Sequence, residues 1–232
     1  LGFIGVRDGE AEIIDYSLTE SVVDENTICN ASNNRYYTIQ ELEKLNEDSD
    51  YPLEVEIKND GTVRSIDGKF SNILVTDEDS ALNSLYGVKN LLGMTDPKSE
   101  LVLDRIYESK IAGYKSYFFN QVYNDIPVYG HSVTVVARNN GEILSLDSNY
   151  INISDISTTT NWSENEVKTK YNVDDVELII YIMDEYENTP VLGYFCSTNE
   201  ENLIISAVDG TIIDKWNTIK YDLLHDEEVK YE

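Results

Sequence analysis

Two histidines, His131 and His225, are all the imidazole this chain has, and they set the first limit on its chemistry. Neither belongs to a His-Glu-x-x-His pair, in which two imidazoles one helical turn apart hold zinc beside a general base. His131 falls in a strand-like run, where a packed or surface histidine is the simple reading. His225 falls in an acidic stretch, where a solvated side chain is the default. No Gly-x-Ser-x-Gly elbow, Walker loop or dinucleotide fingerprint occurs. Carboxylates are plentiful, 44 Asp and Glu, so a glycosidase-like pair exists by count, yet no spacing marks one pair above the others. Asp77-Glu78-Asp79 lacks the alternating oxygens and glycine bend of a calcium loop, and negative charge in a first helical turn accounts for it. Cys29 and Cys196 lie far apart and can be read either as one disulfide or as two buried thiols; no second ligand sits at metal spacing from either. No catalytic or metal-ligating residue is assigned.

Charge narrows the partners. Lys and Arg number 17, and the net charge over 232 residues is −27. Such a surface repels phosphate backbones and anionic lipid and favours solubility or basic partners. Tyr107, Tyr114, Tyr117, Phe118, Phe119, Tyr123 and Tyr129 crowd one region. They read either as a protein-recognition surface or as a half-buried sheet face. Nucleic-acid stacking would need more interleaved Lys and Arg. No apolar run reaches the ~20 residues of a membrane helix, and residues 1–6 are too short for a signal core. The first residue is not Met, which suits a processed or trimmed product. Asn-x-Ser triplets at Asn30, Asn152 and Asn161 carry little weight by themselves.

The elements that must position these residues alternate between two periods. Residues 1–36 read as an acidic arm with a strand at Ala11–Tyr16, and Thr38–Asp48 as a short helix. Leu53–Ile57 and Thr62–Phe70 flank Asn59-Asp60-Gly61, whose Asp-Gly pair supplies positive φ for a hairpin turn. Asp77–Leu92 reads as one helix, capped by Thr76 with Asp79 and ended by Gly93, with Ala81, Leu82, Leu85, Val88, Leu91 and Leu92 on its core face. Strands follow at Leu101–Tyr107, Lys115–Tyr123, Ile126–Ala137 and Glu142–Tyr150, joined by tight turns at Asn124-Asp125 and Asn139-Asn140-Gly141. A polar stretch, Ser157–Thr160, precedes a helix opened by a Ser163/Glu166 capping box. Strands close the chain at Val176–Met183, Pro190–Ser197, Leu203–Val208 and Thr211–Thr218. Asn59–Asp67 aligns with Asn139–Asp147, with Phe70 and Tyr150 closing the two copies, and Asp209–Trp216 forms a weaker third copy.

Gln121-Val122-Tyr123-Asn124-Asp125-Ile126-Pro127-Val128-Tyr129-Gly130 resembles a signature of the prosegments of thermolysin-like zinc metalloproteases. The setting is similar too: an amphipathic helix ending near Leu92-Gly93 precedes it and a strand pair follows. Beyond that the chain resembles a PepSY domain through Glu177–Met183, Pro190–Tyr194 and Val208–Asn217, although the helix around Val167–Tyr171 is shorter than usual there. The resemblance covers roughly residues 50–220. It implies an α+β fold of two successive cystatin-like subdomains, each an antiparallel sheet packed on a helix. The implied divisions are an arm at 1–36, a fungalysin/thermolysin propeptide-like domain at 37–156, a PepSY-like domain at 157–220 and a connecting tail at 221–232.

By the same resemblance the chain is a secreted, bacterial prosegment, not itself an enzyme, that assists folding of a metalloprotease catalytic domain and inhibits it. Gln121, Tyr123, Ile126, Pro127, Val128 and Gly130 are its candidate binding residues, and Leu223, Leu224 and His225 its cleft-directed tail. This chain needs no cofactor on that reading; zinc and calcium belong to the catalytic domain. A stand-alone inhibitor acting in trans, a surface module using the tyrosine-rich sheet, and an unrecognised hydrolase are the competing readings.

Overall fold

The structure is a computed structural model, which describes residues 31–47, 49, 51–153, 156–183, 189–198 and 200–218. The strand expected at Ala11–Tyr16, Cys29, Asn30 and the tail residues Leu223, Leu224 and His225 lie outside the described residues. The chain divides into two units, Leu1–Asp155 and Ile156–Glu232. Each is an antiparallel sheet with helical cover, the α+β arrangement expected.

Among the described residues of the first unit, helices α1 (Ala31–Glu47), α2 (Glu78–Leu85), α3 (Lys89–Leu92) and α4 (Pro97–Glu100) accompany six strands: β1 (Glu54–Ile57), β2 (Val63–Asp67), β3 (Leu101–Ser109), β4 (Tyr114–Tyr123), β5 (Ile126–Arg138) and β6 (Ile143–Ser148). Every neighbouring pair is antiparallel, in the order β1-β2-β6-β5-β4-β3. Inward positions alternate along the strands, as Tyr117/Phe119 and Val133/Val135/Ala137 show, and they share one core with Leu42, Ala81, Leu82, Leu85, Leu91 and Leu92 of the helices.

Three helical expectations change. The helix expected over Asp77–Leu92 breaks into α2 and α3 around Tyr86–Val88. Tyr86 N–H donates to Asn83 O and Val88 N–H to Leu85 O, so the chain tightens for a turn beside Gly87, a poor helix former. The apolar stripe survives the break, because Leu85, Val88, Leu91 and Leu92 all stay buried. Its cap is Asp77 rather than Thr76: the Asp77 carboxylate accepts from Ser80 N–H, and the Ser80 hydroxyl accepts from Asp77 N–H. Helix α1 begins at Ala31 rather than Thr38, because Ser-Asn-Asn-Arg-Tyr-Tyr carries no apolar repeat to reveal it. Gly93 ends α3 with φ 77°, as its position implied.

The repeated hairpin is real in structure. Asp60, Asn140 and Asp209 each use Oδ1 to accept the backbone N–H two residues on, from Thr62, Glu142 and Thr211. Gly61, Gly141 and Gly210 each carry the positive φ. Asp60 does not share that conformation, so the turn rests on one left-handed glycine and an Asx bond rather than an Asp-Gly pair. The first two copies also pair with each other: Ile66 faces its counterpart Leu146, flanked by Ser65–Asp147 and Asp67–Ser145. A local two-fold therefore runs through the middle of this sheet.

In the second unit, helix α5 (Glu164–Tyr171) precedes the antiparallel meander β7 (Val176–Ile182), β8 (Pro190–Ser197), β9 (Glu201–Ser206) and β10 (Ile212–Asn217). The Ser163/Glu166 capping box forms as expected. Cys196 is a free, buried thiol whose pKa burial pushes up to about 11, which keeps it protonated and unreactive.

The caps make the fold acid-sensitive. Hydrogen bonds from Ser80 hold the Asp77 carboxyl below its ordinary value, those from Ser163 lower Glu166, and those from Thr211 lower Asp209. A depressed folded value means the stabilisation is present above the unfolded value of ~4 and is lost as pH falls through the folded one. The urea midpoint should therefore hold steady from pH 6 down to ~4 and then decline. An Asp77→Asn/Glu166→Gln/Asp209→Asn variant should start lower and decline less; an acid limb as steep as in the parent would refute this assignment.

Candidate functional site

The signature Gln121–Gly130 is a β-hairpin. Its two turn residues, Asn124 (φ 49°) and Asp125 (φ 64°), are both left-handed, the two-residue turn whose twist matches the flanking strands. Tyr123 pairs with Ile126 and Val122 with Pro127. Farther from the turn the ladder resumes at Asn120 and Ser132, so a single residue, Gln121, faces Val128–His131 across the pair. Gly130, at φ 77°, gives β5 the bend that this mismatch requires.

Side chains from the end of β6 hold the bend. Asn149 Nδ2 donates to Gly130 O at 2.6 Å, and Asn149 Oδ1 accepts from Ser132 N–H. Asn149 N–H donates to Ser132 O, and His131 Nδ1 lies 2.6 Å from Asn149 O. Gln121, only 2% exposed, completes the clasp. Its Nε2 donates to Ile151 O at 2.7 Å and its Oε1 accepts from Ile151 N–H at 3.0 Å. One amide side chain thus substitutes for a strand partner where the chain leaves the sheet.

Tyr150, between Asn149 and Ile151, points into the core. Its hydroxyl donates to Glu100 Oε2 at 2.9 Å, while its carbonyl accepts from Lys58 Nζ at 2.6 Å. Burial, then the Glu100 charge, raises the Tyr150 pKa; burial lowers that of Lys58, against the pull of Asp60. Glu100 also accepts from Thr95 and Asp96 N–H, which anchors α4 to the same cluster.

The structure therefore brings Gln121, Gly130 and His131 together around Asn149 and Ile151. Val128 is buried, while Tyr123, Ile126 and Pro127 are half-buried near the turn. Sequence reasoning missed Asn149, Glu100 and Lys58; the signal available was Tyr150, already marked as the aromatic closing a repeat. Chemically the cluster is a clasp: its polar groups are spent on the backbone. Among the described residues no group of three or more His, Cys, Asp or Glu could hold a metal ion.

The stretch from Ser99, inside α4, to Tyr150, beside this clasp, matches a known family model. Residues 99–150 match the model of the Fungalysin/Thermolysin Propeptide Motif. The matched stretch spans β3–β6 together with Gln121, Gly130, Asn149 and Tyr150 of the clasp, while Ile151 and Lys58 lie outside it; its last residue is the tyrosine bonded to Glu100. None of the curated proteins compared matches the chain. Among solved structures, the Bacillus megaterium YpeB C-terminal domain is similar to 68% of this chain and 73% of its own length, at 16% identity and a TM-score of 0.35.

The tyrosine-rich region divides. Tyr117 and Phe119 are core, whereas Tyr107 is exposed and meets Tyr114 at a centroid distance of 6.4 Å. The second unit has a lock of its own. Lys170 Nζ and Tyr171 Oη both donate to Gly210 O, at 2.8 and 2.7 Å, and the ammonium lies 4.7 Å from the Trp162 ring centroid. No described helix is long and apolar enough to cross a membrane.

Proposed function

We propose that this chain is the prosegment of a thermolysin-like metalloprotease, serving its catalytic domain as intramolecular chaperone and inhibitor. The match of residues 99–150 to the propeptide motif carries the reading. On this reading 37–156 forms the propeptide-like domain, 157–220 the PepSY-like one, and 1–36 an acidic arm. Residues 221–232 are the connecting tail, and Leu223, Leu224 and His225 run toward the catalytic cleft. Zinc and calcium belong to the catalytic domain, and the pair is secreted.

Two physical features support it. The signature residues Gln121 and Gly130 fix a hairpin rather than carry out chemistry, which suits a preformed template. A folded surface of two units also has the area for a specific interface, and a covalent tether raises its effective concentration until cleavage. The test is to add the purified chain to a mature thermolysin-like protease and, separately, to its denatured catalytic domain during refolding. Inhibition near ~1 µM, with a higher yield of refolded activity, is the expected result. A chain that does neither at that concentration is not a prosegment of this class.

A further inference from the structure

One copy of the repeated turn holds a latent reaction. Asn140-Gly141 is the single Asn-Gly pair in the sequence, whereas the other two copies have Asp60 and Asp209 before the glycine. An asparagine followed by glycine is open to attack by its own main chain, because no side chain shields the next backbone nitrogen. The Gly141 nitrogen adds to Asn140 Cγ and a C–N bond forms. The side-chain nitrogen leaves as ammonia, carrying the proton that the Gly141 amide gives up. Water then opens the cyclic imide at either carbonyl. One opening yields aspartate, the other isoaspartate, in which the main chain runs through Cβ and Cγ. The reaction needs no partner.

The native turn opposes the first step. Asn140 is exposed, but Gly141 is buried. Gly141 N–H donates to Arg138 O at 2.8 Å, which favours the protonated amide over the anion that attacks. Asn140 Oδ1 accepts from Glu142 N–H at 3.1 Å, which ties the side-chain carbonyl to the second amide along rather than the first. Rotation of the peptide is blocked from the other side. Gly141 O accepts from Val75 N–H at 2.8 Å, and a Cβ at Gly141 would lie 3.1–3.3 Å from Leu74 and Val75 atoms.

The two products fit unequally. Aspartate suits the turn, since Asp60 and Asp209 accept the N–H two residues on at 2.9 and 3.1 Å, as Asn140 does. Isoaspartate adds a main-chain carbon between Arg138 and Glu142, whose N–H···O bond of 2.7 Å closes the hairpin. The close approach of Leu74 and Val75 leaves no room for the longer loop.

We propose that Asn140 is a self-modification site that the fold holds shut: deamidation runs while the β5–β6 turn is open, and its isoaspartate product bars the turn from closing again. The full chain is incubated in mildly alkaline buffer with and without urea, beside a free peptide spanning Arg138–Leu144 that corrects for urea itself. Peptide mass spectrometry reads the one-dalton gain, and cleavage before aspartate but not isoaspartate sorts the products. Relative to the peptide, the chain should deamidate at Asn140 at least ~10-fold faster when unfolded. Equal corrected rates in the folded and unfolded chain would overturn the proposal. After refolding, the isoaspartate fraction should have a lower urea midpoint than the parent, while Asn140→Asp should match it. An isoaspartate fraction as stable as the parent, or an Asn140→Asp variant as weak as isoaspartate, would also overturn it.

Discussion

Gly210→Ala unfolds the second unit at urea concentrations the parent tolerates. A Cβ built at Gly210 falls 2.4–2.6 Å from three Trp162 ring carbons. Its φ of 66° would strain an alanine by a further ~1–2 kcal/mol. The ring cannot simply retreat. Trp162 N–H donates to Ala207 O, its carbonyl accepts from Tyr194 Oη, and the next residue, Ser163, caps α5. Any shift of the turn also loosens the Lys170 and Tyr171 bonds to Gly210 O. Together these place the loss at ~3–5 kcal/mol, among the larger effects of single substitutions. Urea unfolding followed by far-ultraviolet circular dichroism measures it. Trp162→Ala in the same chain should recover part of the loss by removing the clash, and purely additive losses would refute the steric account.

The second large effect belongs to Gln121. Gln121→Ala strips both bonds from Ile151 and leaves a backbone N–H and C=O short of partners at a part-buried site, a loss of ~2–4 kcal/mol. Gln121→Glu is more diagnostic. One glutamate oxygen can still accept from Ile151 N–H, but the other then faces Ile151 O and must carry a proton to bond it. Burial and that carbonyl both raise the folded-state pKa of the new carboxyl above its unfolded value of ~4.3. Its contribution is then fully present below the unfolded value and lost as pH rises through the folded one. The variant should come closest to the parent near pH ~4 and fall well behind it at pH ~7, opposite in sign to the acid loss from the helix and turn caps. Urea midpoints across that range decide the point; a gap that does not change with pH would mean Gln121 is not holding Ile151 as described.

The sheets were legible in the sequence because their signals are local. Asn124-Asp125 and the Asx-Gly turns punctuate alternating runs, and β8 falls on the predicted Pro190–Ser197. The Ser163/Glu166 box announced α5 in the same way. Less legible was anything depending on residues distant in sequence. Gln121 and Ile151 are 30 positions apart, and Tyr150 reaches Lys58 and Glu100 across 92 and 50, with no local pattern to link them. The propeptide resemblance located Gln121 without indicating what its amide holds. The break in the Asp77–Leu92 helix escaped notice because its apolar stripe continues through the gap, so periodicity reports the buried face and not the hydrogen bonds beneath it. Conversely, Asp96-Pro97 is a readable helix opening, and α4 could have been found from it.

The Trp162 that closes over Gly210 has one further consequence. The chain has two tryptophans, and the other, Trp216, lies on β10 of the same unit, near Phe195. The first unit, rich in tyrosine, has none. Excitation at the red edge of the absorption band therefore illuminates only the C-terminal unit, and the native chain carries a built-in optical label for one of its two parts. Whether the two units melt together or in sequence can be read by comparing that emission with a whole-chain signal, without adding a dye or altering a residue.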